Sequence, residues 1–267
     1  MLSRLLPRRR TPVVSVVVVS IMLAVVGSGC AGDADVVGSV GVADTPPPWR
    51  SWIVTPSTSG AAPVVLDAPG GEPLQLDTDG DGTARAVTLA DPLPSGAPLT
   101  LLARQLDVEA GGERWHEVYL PVRPNGSTGW VADDDVTVTH TDLAVRIRLG
   151  ARRLEVVDEG RLVGSFEVAI GTAETPTPTG TYFLKELLAP TDPTGAYGPL
   201  AYGLSGFSPA ILDAEEFAEG VIGVHGTNQP ELIGQAVSHG CVRLRNADIE
   251  QLRGYELPLG TPVVIEA

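Results

Sequence analysis

Residues 225–244 read HGTNQPELIGQAVSHGCVRL, gathering two of the four histidines and one of the two cysteines into a single glycine-broken stretch. A thiol of ordinary pKa, about 8.5, is only a few per cent thiolate at neutral pH, so a cysteine nucleophile needs an imidazole within reach to take its proton. His225 is of that type, and it ends the apolar run VIGV at 221–224, which reads as a buried strand. A strand holds a side chain more firmly than a loop does, as a base requires. Gly226 and Gly240 mark points where backbone passes close to a neighbour or takes a positive φ. Consecutive amides at Gly240 and Cys241 could then point at a carbonyl oxygen as an oxyanion hole. Together these features point to acyl transfer through a thioester. His225, His239 and Cys241 also suffice in number for a three-ligand zinc site, though not for a four-ligand structural one, so the metal alternative stays open at this point.

Working outward, residues 144–171 (AVRIRLGARRLEVVDEGRLVGSFEVAIG) alternate apolar and polar around turns at Gly150 and Glu159-Gly160. That is the pattern of half-buried antiparallel strands. PTPTGTYFLKELL (176–188) adds a further turn and strand, and GTPVVIEA (260–267) a closing one. Helical signal is sparse. DAEEFAEG (213–220) suits a short helix, PELIGQAV (230–237) a turn or two from Pro230, and NADIEQLRG (246–254) a helix capped by Asn246 and ended by Gly254.

The sequence SHGCVRL (238–244), preceded by His225-Gly226-Thr227 and followed by a helix and GTPVVI, resembles the catalytic domain of the L,D-transpeptidases, the YkuD family. The resemblance spans about residues 142–267 and extends to PTPTGTYFL and YGPLAYGLSGFSP (197–209). It implies a β-sandwich with short helices in which Cys241 is the nucleophile. The thiolate would attack a meso-diaminopimelate or lysine carbonyl in a donor peptidoglycan stem and expel the terminal D-alanine. By the same resemblance His225 is the base and later the acid, with the Gly226 carbonyl orienting its ring. His239, with the amides of Gly240 and Cys241, would line the oxyanion and substrate region. Arg243 would hold the active-site loop or a substrate carboxylate, and Ser238 is a turn residue or a functional one. Tyr197 and Tyr202 fall in a glycine-rich loop that could form a lid. The acyl group would pass to a second stem's side-chain amine, giving a 3→3 cross-link, with no metal or cofactor. Water as acceptor would make an L,D-carboxypeptidase, a protein amine would make a wall-anchoring enzyme, and an idle site would leave a wall-binding protein. Carbapenems would be covalent inhibitors.

Upstream, residues 49–139 hold short apolar runs (APVVLDAP, RAVTLADP, RWHEVYLPV, GWVADDDVTV) punctuated by Gly, Pro and Asn, as in a small β barrel or sandwich. WHEVYLPVRPNGSTGWVADDDV (115–136), a strand, a PNG turn and Gly-Trp-Val, is similar to the end of bacterial SH3-like domains. Asp77, Asp79 and Asp81 mimic the start of an EF-hand, but position twelve is Thr88 rather than Glu, so a polar turn is expected. His116 reads as a half-exposed strand residue and His140 as part of a linker.

Residues 1–29, four arginines and then an apolar run ending Gly-Ser-Gly, read as an export signal. The arrangement before Cys30 resembles a lipobox, with Gly27 where Leu or Val is usual. Lipidation at Cys30, a plain secretory signal and a retained helix all place the body outside the cytoplasm. Residues 30–48, small, acidic and ending in three prolines, read as a tether. A formal net charge of −15 offers no basic footprint for nucleic acid. The expected whole is mainly β: an exported protein, anchored to the membrane through its N-terminal lipid, with an SH3-like domain before a C-terminal domain acting on stem peptides.

Overall fold

The computed structural model describes residues 46–210 and 220–267. The expected signal, Cys30, the tether up to residue 45 and the helix expected over 213–219 lie outside these described residues. Residues 45–267 form one compact unit.

In the first part, β1 (Ser51–Pro56), β4 (Leu101–Ala110), β5 (Glu113–Tyr119), β6 (Thr128–Ala132) and β7 (Val136–Thr141) build an antiparallel sheet in the order β6-β5-β4-β1-β7. A minimal hairpin, β2 (Gln75–Leu76) and β3 (Arg85–Ala86), stands apart from it. The strands expected in APVVLDAP and RAVTLADP shrink to isolated bridges at Leu66 and to β3. Pro63, Pro69 and Pro92 have no N–H to give a ladder, so pairing stops at them. His140 is not a linker residue: it lies in β7 opposite Trp52, and their rings meet edge to face at 5.7 Å. The Asp77 carboxylate accepts the amides of Gly80, Asp81 and Gly82, and Arg85 pairs with Asp79 and Asp81, which makes DTDGDG a self-satisfied turn.

From Leu143 the chain builds β8 (Leu143–Arg148), β9 (Arg153–Asp158), β10 (Arg161–Glu167), β11 (Ile170–Gly171), β12 (Gly180–Leu188), β13 (Ala201–Phe207), β14 (Val221–His225), β15 (Ala236–Ser238), β16 (Val242–Arg243), α1 (Asn246–Arg253) and β17 (Pro262–Glu266). Eight of these strands form one sheet in the order β10-β9-β8-β17-β12-β13-β14-β16. The turn between β9 and β10 places Glu159 at φ 47° and Gly160 at φ 76°, the paired positive values of a type I′ hairpin turn. The closing strand β17 lies mid-sheet, parallel to β8 and antiparallel to β12. Burial on both faces explains why PVVIE is a nearly unbroken apolar run. The fold is mainly β, as expected.

Strand β12 ties the two parts together. Tyr182 and Leu184 point into the core of the eight-stranded sheet, whereas Phe183, fully buried, points the other way into the core of the first sheet. Period-two alternation thus lets one strand serve two cores. Truncating a buried Phe costs about 3–5 kcal/mol, and at this position the loss would fall on the first core and on its attachment to β12.

Candidate active site

Parallel pairing of β14 with β16 matches Val224 to Val242 and His225 to Arg243. Cross-strand partners share a face, as do residues two apart along a strand. His225, Cys241 and Arg243 therefore face one side, while Val224, Val242 and Leu244 are buried in the core on the other. The first three line one cavity of about 920 Å³, together with His239. Backbone hydrogen bonds in both directions between Ala169 and Arg243, each 2.9 Å, brace β16 on its outer edge.

His225 is 4% exposed, and its Nδ1 lies 2.6 Å from the Gly226 carbonyl oxygen. A carbonyl can only accept, so Nδ1 carries the proton. Desolvation holds the imidazole pKa down at about 4, against the opposing pull of the Gly226 carbonyl, with the positive charge of Arg243 adding to the depression. The ring is thus neutral at pH 7, and its Nε2 carries a lone pair. Burial pushes the Cys241 thiol upward, partly offset by the Gly223 amide beside it and by Arg243. The resting pair is therefore thiol and imidazole, not thiolate and imidazolium.

The Gly226 carbonyl is itself fixed. A Cβ on Gly226 would lie 2.4 Å from Asn246 Oδ1 and 3.0 Å from Pro199 Cδ, so only glycine fits this crossing. Asn246 Oδ1 accepts the Thr227 amide at 2.8 Å. The N-cap assigned to Asn246 is therefore corrected: the cap position is Arg245, without a side-chain bond, because the Asn246 amide is turned to the Gly226-Thr227 strand end. A polar residue at a helix start reads from sequence as a cap, and nothing local shows a partner 19 positions away. Gly254 does end α1, as expected.

The SHGC turn is closed by Ser238, which is fully buried and donates its hydroxyl to the Cys241 carbonyl. Gly240, at φ 117°, donates its amide to Ser238 Oγ at 3.2 Å. The Gly240 amide, expected to line the oxyanion region, braces the turn in this arrangement. Ser238 is the turn's hub: its carbonyl also accepts the Thr172 amide and the Thr175 hydroxyl, binding the PTPTG loop to it. Arg243 is half-buried, and its Nε lies buried without a hydrogen-bond partner.

The expected tyrosine lid divides. Tyr197 is 44% exposed, and its ring lies 4.8 Å from the His225 ring at the cavity rim. Tyr202 is not in a loop: it lies in β13, paired with Val224, with its side chain in the core at 2% exposure. His116, expected half-exposed, is buried at 1%. Sequence reading also missed Leu93, Pro94 and Ser95, which line the cavity from the first part of the chain.

Residues 142–265 match the family model of the YkuD L,D-transpeptidase catalytic domain. Residues 142–265 are thus similar to a YkuD-type domain. The YkuD protein of Bacillus subtilis, named an L,D-transpeptidase, is 34% identical over 121 residues, covering 45% of this chain and 64% of that protein. YqjB of the same organism, named likewise, is 29% identical over 134 residues, 46% of this chain and 71% of YqjB. A solved L,D-transpeptidase from Mycobacterium tuberculosis aligns over 63% of this chain and 90% of its own, with 15% identity and a TM-score of 0.40. The chain thus spans less than two thirds of the first of these relatives, and the YkuD match leaves residues 49–139 uncovered.

Proposed function

We propose that this protein is a peptidoglycan L,D-transpeptidase that acts through an acylated Cys241. The observation that carries the reading is the Nδ1–Gly226 bond of His225, which leaves Nε2 as the free base in the cavity that Cys241 lines. As the Cys241 sulfur bonds to the donor carbonyl carbon, His225 Nε2 takes the thiol proton. The oxyanion collapses, the bond to D-alanine breaks, and His225 returns that proton to the leaving amine. An acceptor amine then attacks the thioester, loses its proton to Nε2 and forms the new amide. The proton passes back to the departing sulfur, so nothing is consumed but the two peptides.

Arg243 supports a peptide substrate: it lines the same cavity, and its positive charge, felt by both His225 and Cys241, suits a substrate carboxylate. The N-terminal residues extend the proposal: export, attachment through Cys30, and an SH3-like domain at 49–139 would set the site facing the cell wall.

Intact mass spectrometry tests this. The folded protein, incubated with a donor tetrapeptide stem, should gain the mass of the acyl group with loss of D-alanine, and Cys241→Ala should gain nothing. Adding an acceptor amine should discharge the adduct into a cross-linked product; discharge into water alone would replace the transferase with a carboxypeptidase. A carbapenem should acylate the same sulfur.

A further inference from the structure

The first β domain presents a wall to the same cavity. We propose that this wall, the turn at Leu93–Ser95, forms part of the substrate site and selects the stem peptide, an inference that rests on the function proposed above. Leu93 is half-buried, Pro94 and Ser95 are exposed, and all three line the cavity that holds Cys241, His225 and Arg243.

The turn is a built feature. Asp91 Oδ2 accepts the Gly60 amide and Oδ1 the Leu99 amide, both at 2.8 Å, and these backbone bonds hold the carboxyl below its usual range. Leu93 and Ala97 then close the tip with an amide-to-carbonyl bond of 2.8 Å, and Gly96 donates back to Leu93 at 2.8 Å. A wall set on such a base can discriminate between ligands, because yielding to a poor fit would break those bonds.

The domain that carries the wall is docked at three places. Phe183 of β12 is inserted in its core. The loop at Gly260 approaches Ile53 and Thr100 so closely that a Cβ there would lie 2.7 Å from Ile53 Cγ2. Asn125, in the PNG turn between β5 and β6, clamps the end of β13: its Oδ1 accepts the Phe207 amide at 2.8 Å, its Nδ2 donates to the Phe207 carbonyl at 2.7 Å, and Arg123 stacks 4.6 Å over the Phe207 ring. The next residue, Ser208, lines the cavity. An amide side chain thus stands in for a strand partner at the cavity edge and fixes the distance between wall and nucleophile.

The same cavity also carries Lys185 and Glu186, 3.4 Å apart and both largely shielded. Consecutive strand residues normally face opposite ways; the irregularity between Leu184 and Glu186 in the β12–β13 ladder lets both reach the groove. An apolar turn and a charged pair in one groove suit a peptide bearing ionised groups, and a stem peptide is that chemistry.

The test uses the full chain. Ser95→Trp, at an exposed tip, fills the groove, and the Leu93→Ala/Pro94→Ala pair removes the apolar wall; Val64→Ala, exposed elsewhere on the same domain, is the control. The expected result for both wall variants is a KM for the tetrapeptide raised about tenfold, with kcat and the rate of Cys241 alkylation by iodoacetamide unchanged; Ser95→Trp keeps the wild-type melting temperature, whereas the Leu93→Ala/Pro94→Ala pair, which also trims a side chain packed on the first core, melts lower. A folded Ser95→Trp protein with wild-type KM overturns the proposal. Binding of the tetrapeptide to Cys241→Ser, with and without Ser95→Trp, separates the two levels. If the native protein is never acylated yet the peptide binds in a way that Ser95→Trp weakens, the wall stands and the transferase reading falls. If the peptide does not bind at all, both fall.

Discussion

Two histidines of this chain are almost equally buried, His225 at 4% and His116 at 1%, yet their ring nitrogens are engaged differently. His116, on β5, accepts the Asp107 amide at Nδ1 (3.2 Å), so the proton sits on Nε2, which donates to Asp133 Oδ1 at 2.8 Å. Arg114 lies 2.6 Å from the other Asp133 oxygen and 3.8 Å from Asp107, so a cation already occupies that cluster. Both ring nitrogens are used, and the ring pins β5 in place. In His225 the tautomer is reversed, with the proton on Nδ1 and the lone pair of Nε2 left over. Burial alone does not leave a ring able to accept a proton; an unspent nitrogen does.

The sharpest way to break this comparison is to truncate each ring. His225→Ala should slow acylation of Cys241 by about 10²–10⁴-fold, the range of general-base contributions. His116→Ala should leave the rate of folded protein within about twofold but lower stability by about 1–3 kcal/mol, the cost of orphaning buried partners. Stopped-flow acylation and urea denaturation read the two. Equal rate losses would mean that His225 is structural as well.

Next comes proton linkage. The folded pKa of His225, about 4, lies below an unfolded value of about 6.5, so the unfolded chain binds the extra proton between them. This contribution to stability is complete above pH 6.5 and is lost as pH falls toward 4, amounting to about 3 kcal/mol. His225→Gln should be less sensitive to acid over that interval in matched melting curves. Parallel curves would refute the neutral, desolvated ring.

A smaller effect concerns the thiol. With Cys241 raised and its base neutral, alkylation by iodoacetamide should climb about tenfold per pH unit from 6 to 8 without levelling off. A plateau in that range would indicate a preformed thiolate–imidazolium pair instead.

The smallest change is Asn246→Ala. Loss of the Thr227 contact should cost about 1 kcal/mol and slow acylation several-fold, because the Gly226 carbonyl that orients His225 loses its support. Restoration by Asn246→Asp, which keeps the acceptor oxygen, would separate this positioning role from helix stability.

What could be read from sequence was what short spacing encodes. The hairpin at Glu159-Gly160, the strand VIGVH, the turn SHGC and the helix ending at Gly254 each depend on residues within a few positions of one another. The residues that gave His225 and Cys241 their expected roles are similarly local. The misread residues all depend on distant partners. Asn246 looked like a cap because its partner Thr227 is 19 residues back. Tyr202 looked like a lid because a glycine-rich segment turned out to be strand β13. His116 looked half-exposed because Asp133 closes over it from the far end of β6.

The sequence by itself determined which chemistry was available: one thiol in a glycine turn, one imidazole at a strand end, and alternation enough to make sheets. Tertiary structure decided what each group was free to do. Parallel pairing of β14 and β16 set His225, Cys241 and Arg243 on one face, burial fixed their proton states, and Phe183 and Asn125 brought a second domain's turn into the same cavity. The physical reason is one of range. Backbone preference and hydrophobic period act over a few residues, whereas desolvation and the allocation of hydrogen bonds depend on every atom that folding brings near.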